Sequence, residues 1–356
     1  MHVERTTSAA RSGSRIISGL LTALALFVAV PAAAQDQAPW PVKGKLLGAQ
    51  GEKSEDVSGI ACTSTAGFPR ACLLIDDDVQ GAQVVIVRDG EITAGQFIPL
   101  IDNMHDGNPL ELDGEGVAYA GDGVFYVMGS HGHPRDKDSS LDPVKDAASI
   151  KASIKASSQV VRVKIDPSSV DADGKLKTSP AITRSPQLRK ILAAQPDLKP
   201  FMDKRLDQNG LTIEGIAVRD KRLFAGMRGP LLAGDQAAIV SVAIDSLFEG
   251  GEPDARLQFL DLRGRGIRDL AAFENGFLVL AGPAAEADGK YAIYFWDGEE
   301  TLNRLAELPK FTAKKGKQAK PEAVLTLDSS NDGLRVLVLF DGPKEGSPRA
   351  LTIPAP

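Results

Sequence analysis

The chain has 356 residues, 41 Lys and Arg against 47 Asp and Glu, and a formal net charge of −6. An acidic surface of this kind does not suit nucleic acid, which calls for a basic face, and it disfavours anionic membranes. Two cysteines in a chain of this length exclude a disulfide-rich scaffold.

Arg5, Arg11 and Arg15 form a basic leader, and Ile16 to Val30 is an apolar run. "PAAAQ" then offers a small-residue cleavage site after Ala34. These three parts read as a secretory signal peptide over residues 1–34, with a retained anchor as the alternative. The apolar run is short for a membrane span, which takes roughly 20 residues. Cleavage leaves 356 − 34 = 322 residues (35–356), and removing Glu4 with the three arginines takes the charge from −6 to −8. The expected location is periplasmic or secreted, with no membrane contact after cleavage.

Cys62 and Cys72 lie in adjacent strand-like runs, "GIACTS" and "RACLLID". In an oxidising compartment they are expected to form one hairpin disulfide, with two buried thiols as the alternative.

A unit then recurs along the chain. Its starts read "VSGIAC" at Val57, "GEGVAY" at Gly114, "IEGIAV" at Ile213, "IRDLAA" at Ile267 and "KPEAVL" at Lys320. Each is followed by a second apolar run, such as "VFYVMGSHG" or "RLFAGMRGP", and then by a third, such as "AQVVIVRDG" or "SQVVRVKID". Fourth runs are less distinct. Short β-branched and aromatic runs bounded by Gly, Asp, Asn and Pro are strands, and four per repeated unit make a β-propeller. The fold class is therefore all-β: a single propeller over residues 35–356 with five blades, six being the runner-up and a β-sandwich the plainer alternative. The fifth unit lacks a strand, and "WPVKGKLLGA" at Trp40 supplies one, so these termini are expected to share a blade and leave no open edge.

The long interval between units two and three holds an insertion at about 135–210. "DPVKDAASIKASIKASS" reads as a polar, flexible loop, and "SPQLRKILAAQPDLKPFMDKRL" carries apolar residues at helical spacing.

In such a blade the start of the first strand and the end of the second reach the same mouth of the channel. Glu115 then joins His131, Glu214 joins Arg228, Asp269 joins Gly282, and Glu322 joins Asp341. Asp56 or Ser58 joins Asp76 to Asp78 in the first blade. Glu115, Glu214, Asp269 and Glu322 form a candidate set for Ca²⁺ or another divalent cation, since converging carboxylates repel unless something compensates. Arg228 and Arg268 are the other compensation, and candidate clamps for an anionic substrate. Asp113, Glu115 and Asp341 complete a ligand-binding set. The architectural reading stands beside this: the glutamates accept backbone hydrogen bonds, and Gly116 and Gly215 let strands pack closely.

His131 is a candidate general acid. A His131–His133 metal pair is the weaker reading, because Gly132 and Pro134 turn the chain. "DDD" at Asp76 is an acidic turn, and "DKDSSLD" lacks the glycine and final glutamate of a calcium loop. Neither a nucleophile elbow nor a nucleotide-binding fingerprint is present, so no nucleotide cofactor is expected.

At "LDGEGVAY", "FYVMGSHG", "NGLTIEGIAV", "LFAGMRGPL" and "GIRDLAAF" the chain resembles a family of exported bacterial proteins labelled as a domain of unknown function. It is more distantly similar to the propeller group called esterase-like activity of phytase. The first resemblance implies no activity; the second implies hydrolysis of ester or phosphoester bonds. Three functions follow as expectations. The first is a metal-assisted hydrolase acting on a small anionic or ester ligand. The second is a binding module for a small ligand or a protein. In the third the channel groups are purely structural and the insertion faces a partner of unknown kind.

Overall fold

The inner strands of five antiparallel sheets stand around a common channel. In the computed structural model, residues 1–4, 38–135, 141–313 and 316–356 are described; the signal-peptide reading and most of "DKDSSLD" fall outside them. Strands make up 47% of the structure and helices 11%, arranged as a five-blade β-propeller. Pro31–Pro356 forms one compact unit. Among the described residues no helix is long and apolar enough to cross a membrane.

Blade 1 runs Val57–Cys62, Arg70–Asp76, Gly81–Arg88 and Glu91–Pro99, from the channel outward. Blade 2 is Gly114–Tyr119, Val124–Gly129, Val160–Lys164 and Ala181–Ser185. Blade 3 is Thr212–Arg219, Arg222–Gly229, Ala237–Ala243 and Ala255–Leu260. Blade 4 is Arg265–Phe273, Gly276–Pro283, Ala292–Trp296 and Leu302–Glu307. Blade 5 has three strands, Lys320–Ser330, Gly333–Asp341 and Arg349–Ile353. Among the described residues the insertion holds no sixth blade.

Each blade is packed on both faces, so the second strands read as unbroken apolar runs such as "FLVL". Five apolar clusters fill the five spaces between blades. One, for example, joins Leu278, Leu280 and Ile293 of blade 4 to Val336 and Leu351 of blade 5. The turns suit the strand twist. Arg219 and Arg222 pair across Asp220 and Lys221, which sit at φ 49° and 58°, as a two-residue hairpin turn requires.

The ring closes differently from the sequence expectation. Val42–Lys43 adds in parallel to the outermost strand of blade 1, with Val42 opposite Ile92, and leaves blade 5 at three strands. The termini meet where the Trp40 N–H donates to the Pro348 carbonyl at 2.7 Å and where Trp40 and Ala350 share an apolar cluster. The segment that follows seals blade 1 against blade 5. Asp56 bridges Asp341, and Lys53 meets Glu345 at 2.6 Å. From blade 1, buried Arg70 donates to the Thr326 carbonyl at 2.7 Å and to the Leu327 carbonyl.

Two other readings of the chain change. "DPVKDAASIKASIKASS" is not a loop: Ala147–Ser157 is a helix, because alanines and lysines favour helix while Ile150 and Ile154 lie on one face four residues apart. The interval 135–210 is also not all insertion, since it contains the two outer strands of blade 2. The second helical expectation is met by Gln187–Ala193 and the short turn Lys199–Phe201.

Cys62 and Cys72 are directly opposite in the first hairpin and form a disulfide. A disulfide fits a non-cytoplasmic, oxidising location.

Candidate functional site

The five unit starts share a local device. In every blade the register between first and second strands slips across a residue at the unit start, between Val57 and Gly59, Gly114 and Gly116, Ile213 and Gly215, Ile267 and Asp269, and Pro321 and Ala323. A bulge re-aims the extra side chain. The extra residues are Ser58, Glu115, Glu214, Arg268 and Glu322, all buried. The polar ring at the channel thus carries Arg268 where the spacing of the repeats had suggested Asp269. Asp269 occupies the position held elsewhere by Gly59, Gly116 and Gly215. Those glycines are required by closeness: a Cβ on Gly215 would stand 2.7 Å from the backbone of Asp269 and Leu270.

Asp269 instead stitches backbone. Its Oδ1 accepts the Leu270 N–H and its Oδ2 accepts the Val324 N–H of blade 5, both at 2.7 Å. Burial pushes its carboxyl up to about 8 against these two donors.

The ring charges neutralise one another across blades 3, 4 and 5. Arg228 Nη1 meets Glu214 Oε1 at 2.8 Å, and Arg268 Nε meets Glu214 Oε2 at 2.9 Å. Arg268 also grips Glu322, with Nε donating to Oε2 at 2.7 Å. Arg228 donates further to the carbonyls of Ala284 and Ala285 and to Glu286. Both arginines are 2% exposed. Neither lines the cavity, so neither presents a fork to a ligand there. The metal set Glu115, Glu214, Asp269 and Glu322 is not brought together, because three of its members are engaged by arginines or backbone.

His131 lies outside the cavity lining as well. It is fully buried, and its Nδ1–H donates to the Gly129 carbonyl at 2.8 Å. Burial lowers its pKa to about 4, which keeps it neutral near pH 7 and away from solvent. His133 does line the cavity, with Nδ1 at 2.9 Å from the Pro134 carbonyl, so the two histidines stand in different surroundings.

Above the ring lies an open cavity of about 700 Å³. The end of blade 5's second strand brings Asp341 to its wall, and loops that follow the other second strands bring Asp77, Asp78, His133, Arg135 and Glu286. Ser149, Ser153 and Ser157, four residues apart on the helix, face it from one side. Among the described residues its lining holds eight carboxylates, from Asp56, Asp77, Asp78, Glu111, Asp113, Asp207, Glu286 and Asp341, against Arg135, Arg205 and Lys320.

Arg135 is the centre of this charge. Its guanidinium lies 3.2 Å from Asp77, 3.1 Å from Glu286, and 3.8 Å from both Asp113 and Glu115. Asp113 is aimed by a left-handed backbone, φ 51°, a conformation Asp tolerates, and Ser130 Oγ donates to its Oδ2. Burial, then the Glu214 and Asp113 charges, raises the Glu115 carboxyl well above its usual range; burial and Glu115 do the same to Asp77. Burial also opposes ionisation of Glu286, yet Arg228, Arg135 and Lys320 draw it down to about 2. Lys320 pairs with Asp341 at 2.8 Å.

Glu115, Asp113 and Asp341 were legible from the unit pattern, but Arg135 and Glu286 were not. Their common signal is position, since both sit in loops that leave second strands for the mouth.

Residues 78–350 match the family DUF3616, described as a protein of unknown function. The chain belongs to that family. The match supports the first of the two resemblances; the similarity to the phytase-like group is not shown. No curated protein matches the sequence. Solved structures similar to this DUF3616 protein include an exo-β-1,3-galactanase from Clostridium thermocellum, at 10% identity and TM-score 0.42. That match covers 88% of this chain and 62% of the galactanase chain, so the chain spans less than two thirds of that protein's length. A gluconolactonase from Xanthomonas campestris is similar at 12% identity and TM-score 0.38, over 92% of this chain and 99% of that one. A thermostable family-43 glycoside hydrolase is similar at 14% identity and TM-score 0.37, over 89% and 92%. No residue is carried across from them.

Proposed function

We propose that this DUF3616 propeller is an exported binding module whose mouth takes a small ligand bearing an amine or guanidinium group. The observation that carries this reading is the cavity wall, where the described residues give eight carboxylates against two arginines and one lysine. A volume of about 700 Å³ suits a small ligand. The seryl face of the helix adds hydroxyls that orient a polar ligand. Arg135 serves as the pattern for what binds: a planar cation held by four carboxylates. The wall's charge supports a cation over the anionic ligand expected from sequence, and the engagement of Arg228 and Arg268 removes the anion clamp a hydrolase would need. Export to the periplasm or beyond is supported by the disulfide and the basic–apolar leader.

The test is calorimetric titration of the protein with spermidine and with arginine amide, with citrate as the anionic control. Saturable binding of the cations, weakening as salt rises and weakened by Asp341→Asn, is the expected result. Binding of citrate in place of the cations would overturn the reading.

Metal-assisted ester hydrolysis keeps one specific observation in its favour: the oxygens of Asp77, Asp113 and Glu115 lie close enough to share an ion. Such an ion would supply a nucleophilic hydroxide. Turnover of a p-nitrophenyl ester that depends on a divalent ion and is lost in Asp113→Asn would establish it over simple binding.

A further inference from the structure

We propose that Asp77, Asp113 and Glu115 form a Ca²⁺ site for which the Arg135 guanidinium competes. Ligand oxygens from the three residues all lie within 4.8 Å of one another. Ca²⁺–oxygen bonds of about 2.3–2.6 Å set opposite ligands roughly 5 Å apart, so one ion reaches all three without backbone movement. Mg²⁺, at about 2.0–2.1 Å, demands stricter octahedral geometry and gives up its waters reluctantly, which disfavours it in a cluster built from two loops and a strand.

A second observation points to a ligand. Glu115 is 5% exposed, and its Oε1 accepts no hydrogen bond. A buried carboxylate oxygen without a donor is costly, and a cation in the cluster supplies what it lacks. Arg135 does so only in part: its Nη2 stands at 3.2 Å from Asp77 but 3.8 Å from Asp113 and Glu115. The Asp113 carboxylate is already oriented, because Ser130 holds Oδ2 and leaves Oδ1 towards Arg135.

The site shares only Glu115 with the four-carboxylate set expected from the unit starts. It uses the loop after the second strand of blade 1 and the bulged start of blade 2, which the ring packs side by side. It lies in the same mouth as the amine-binding reading, but its test uses Ca²⁺ alone, so either proposal fails without the other.

The experiment is calorimetric titration of Ca²⁺ into the EDTA-stripped, desalted protein, with circular dichroism confirming the fold of each variant. The expected result is one saturable site per chain, weakened about tenfold or more in Asp113→Asn, because a ligand charge is lost. Arg135→Gln should tighten Ca²⁺ binding about fivefold or more, since the competing charge is gone. A purely structural Arg135 would leave affinity unchanged or lower it. Absence of saturable Ca²⁺ binding in both the unaltered protein and Arg135→Gln overturns the site. Arg135→Gln binding no tighter than the unaltered protein overturns the competition. Tighter binding of Mg²⁺ than of Ca²⁺ overturns the assignment of the ion.

Discussion

The ring beneath the mouth and the cluster within it meet at Glu115, yet their charges are settled in opposite ways. In the ring, Glu214 and Glu322 each have a guanidinium in direct contact, and Arg228 adds two carbonyls. In the cluster, Asp77, Asp113 and Glu115 share one guanidinium, mostly at 3.8 Å. The first arrangement holds three blades together and offers a ligand nothing. The second leaves negative charge at an open cavity. The comparison teaches that convergent charge marks a ligand site only where the partners run short.

The largest effect should come from breaking the ring. Arg268→Met leaves Glu214 and Glu322 buried without their shared cation, and should cost about 3–5 kcal/mol in urea unfolding. The seam next to it is a comparable target. Arg70→Ala strips donors from the Thr326 and Leu327 carbonyls and should cost about 2–4 kcal/mol by the same measurement. Asp269→Asn turns an amide N–H₂ towards one of two backbone donors and should cost about 1–3 kcal/mol. Asp113→Asn, in the cluster, should change stability by no more than about 0.5 kcal/mol. A mouth variant as costly as a ring variant would erase the distinction.

Titration sharpens the same contrast. Asp76 and Asp269 are pushed up to about 7 and about 8 by burial, so the folded chain holds protons that the unfolded chain has already released. Their contribution is fully present below about pH 4 and is lost as pH rises through about 7 to 8. Glu286, drawn down to about 2, acts in reverse: its contribution is present above about 4.5 and is lost as pH falls through about 2. Unfolding free energy measured from pH 4 to 9 should therefore decline towards the alkaline side, and Asp269→Asn should flatten part of that decline.

The architecture was legible because each unit start, from "VSGIAC" to "KPEAVL", marks an inner strand, and because strands packed on both faces give unbroken apolar runs. The outermost strands were faint for the complementary reason. Ala181–Ser185 is largely exposed, and its sequence answers to solvent more than to a neighbour. At the site, Glu214 with Arg228 was readable from the hairpin ends. The exchange of Asp269 for Arg268 was not, because a bulge adds one residue without changing composition, and the repeats align equally well one position over. Arg135 was hidden more deeply: it faces Asp77 and Glu286, from blades before and after its own, and no local pattern records that meeting.

The seam between the first and last blades has a consequence for how the protein comes into being. Every other blade boundary joins neighbours along the chain, but Arg70 meets Thr326 across 256 residues and Lys53 meets Glu345 across 292. Contacts of such separation form late, because the chain between them must be ordered first. Blade 1 therefore waits with one apolar face uncovered until blade 5 has been made and delivered. Folding of the whole is timed by its last strands, and the interval before they arrive is when the chain is most exposed to aggregation or proteolysis.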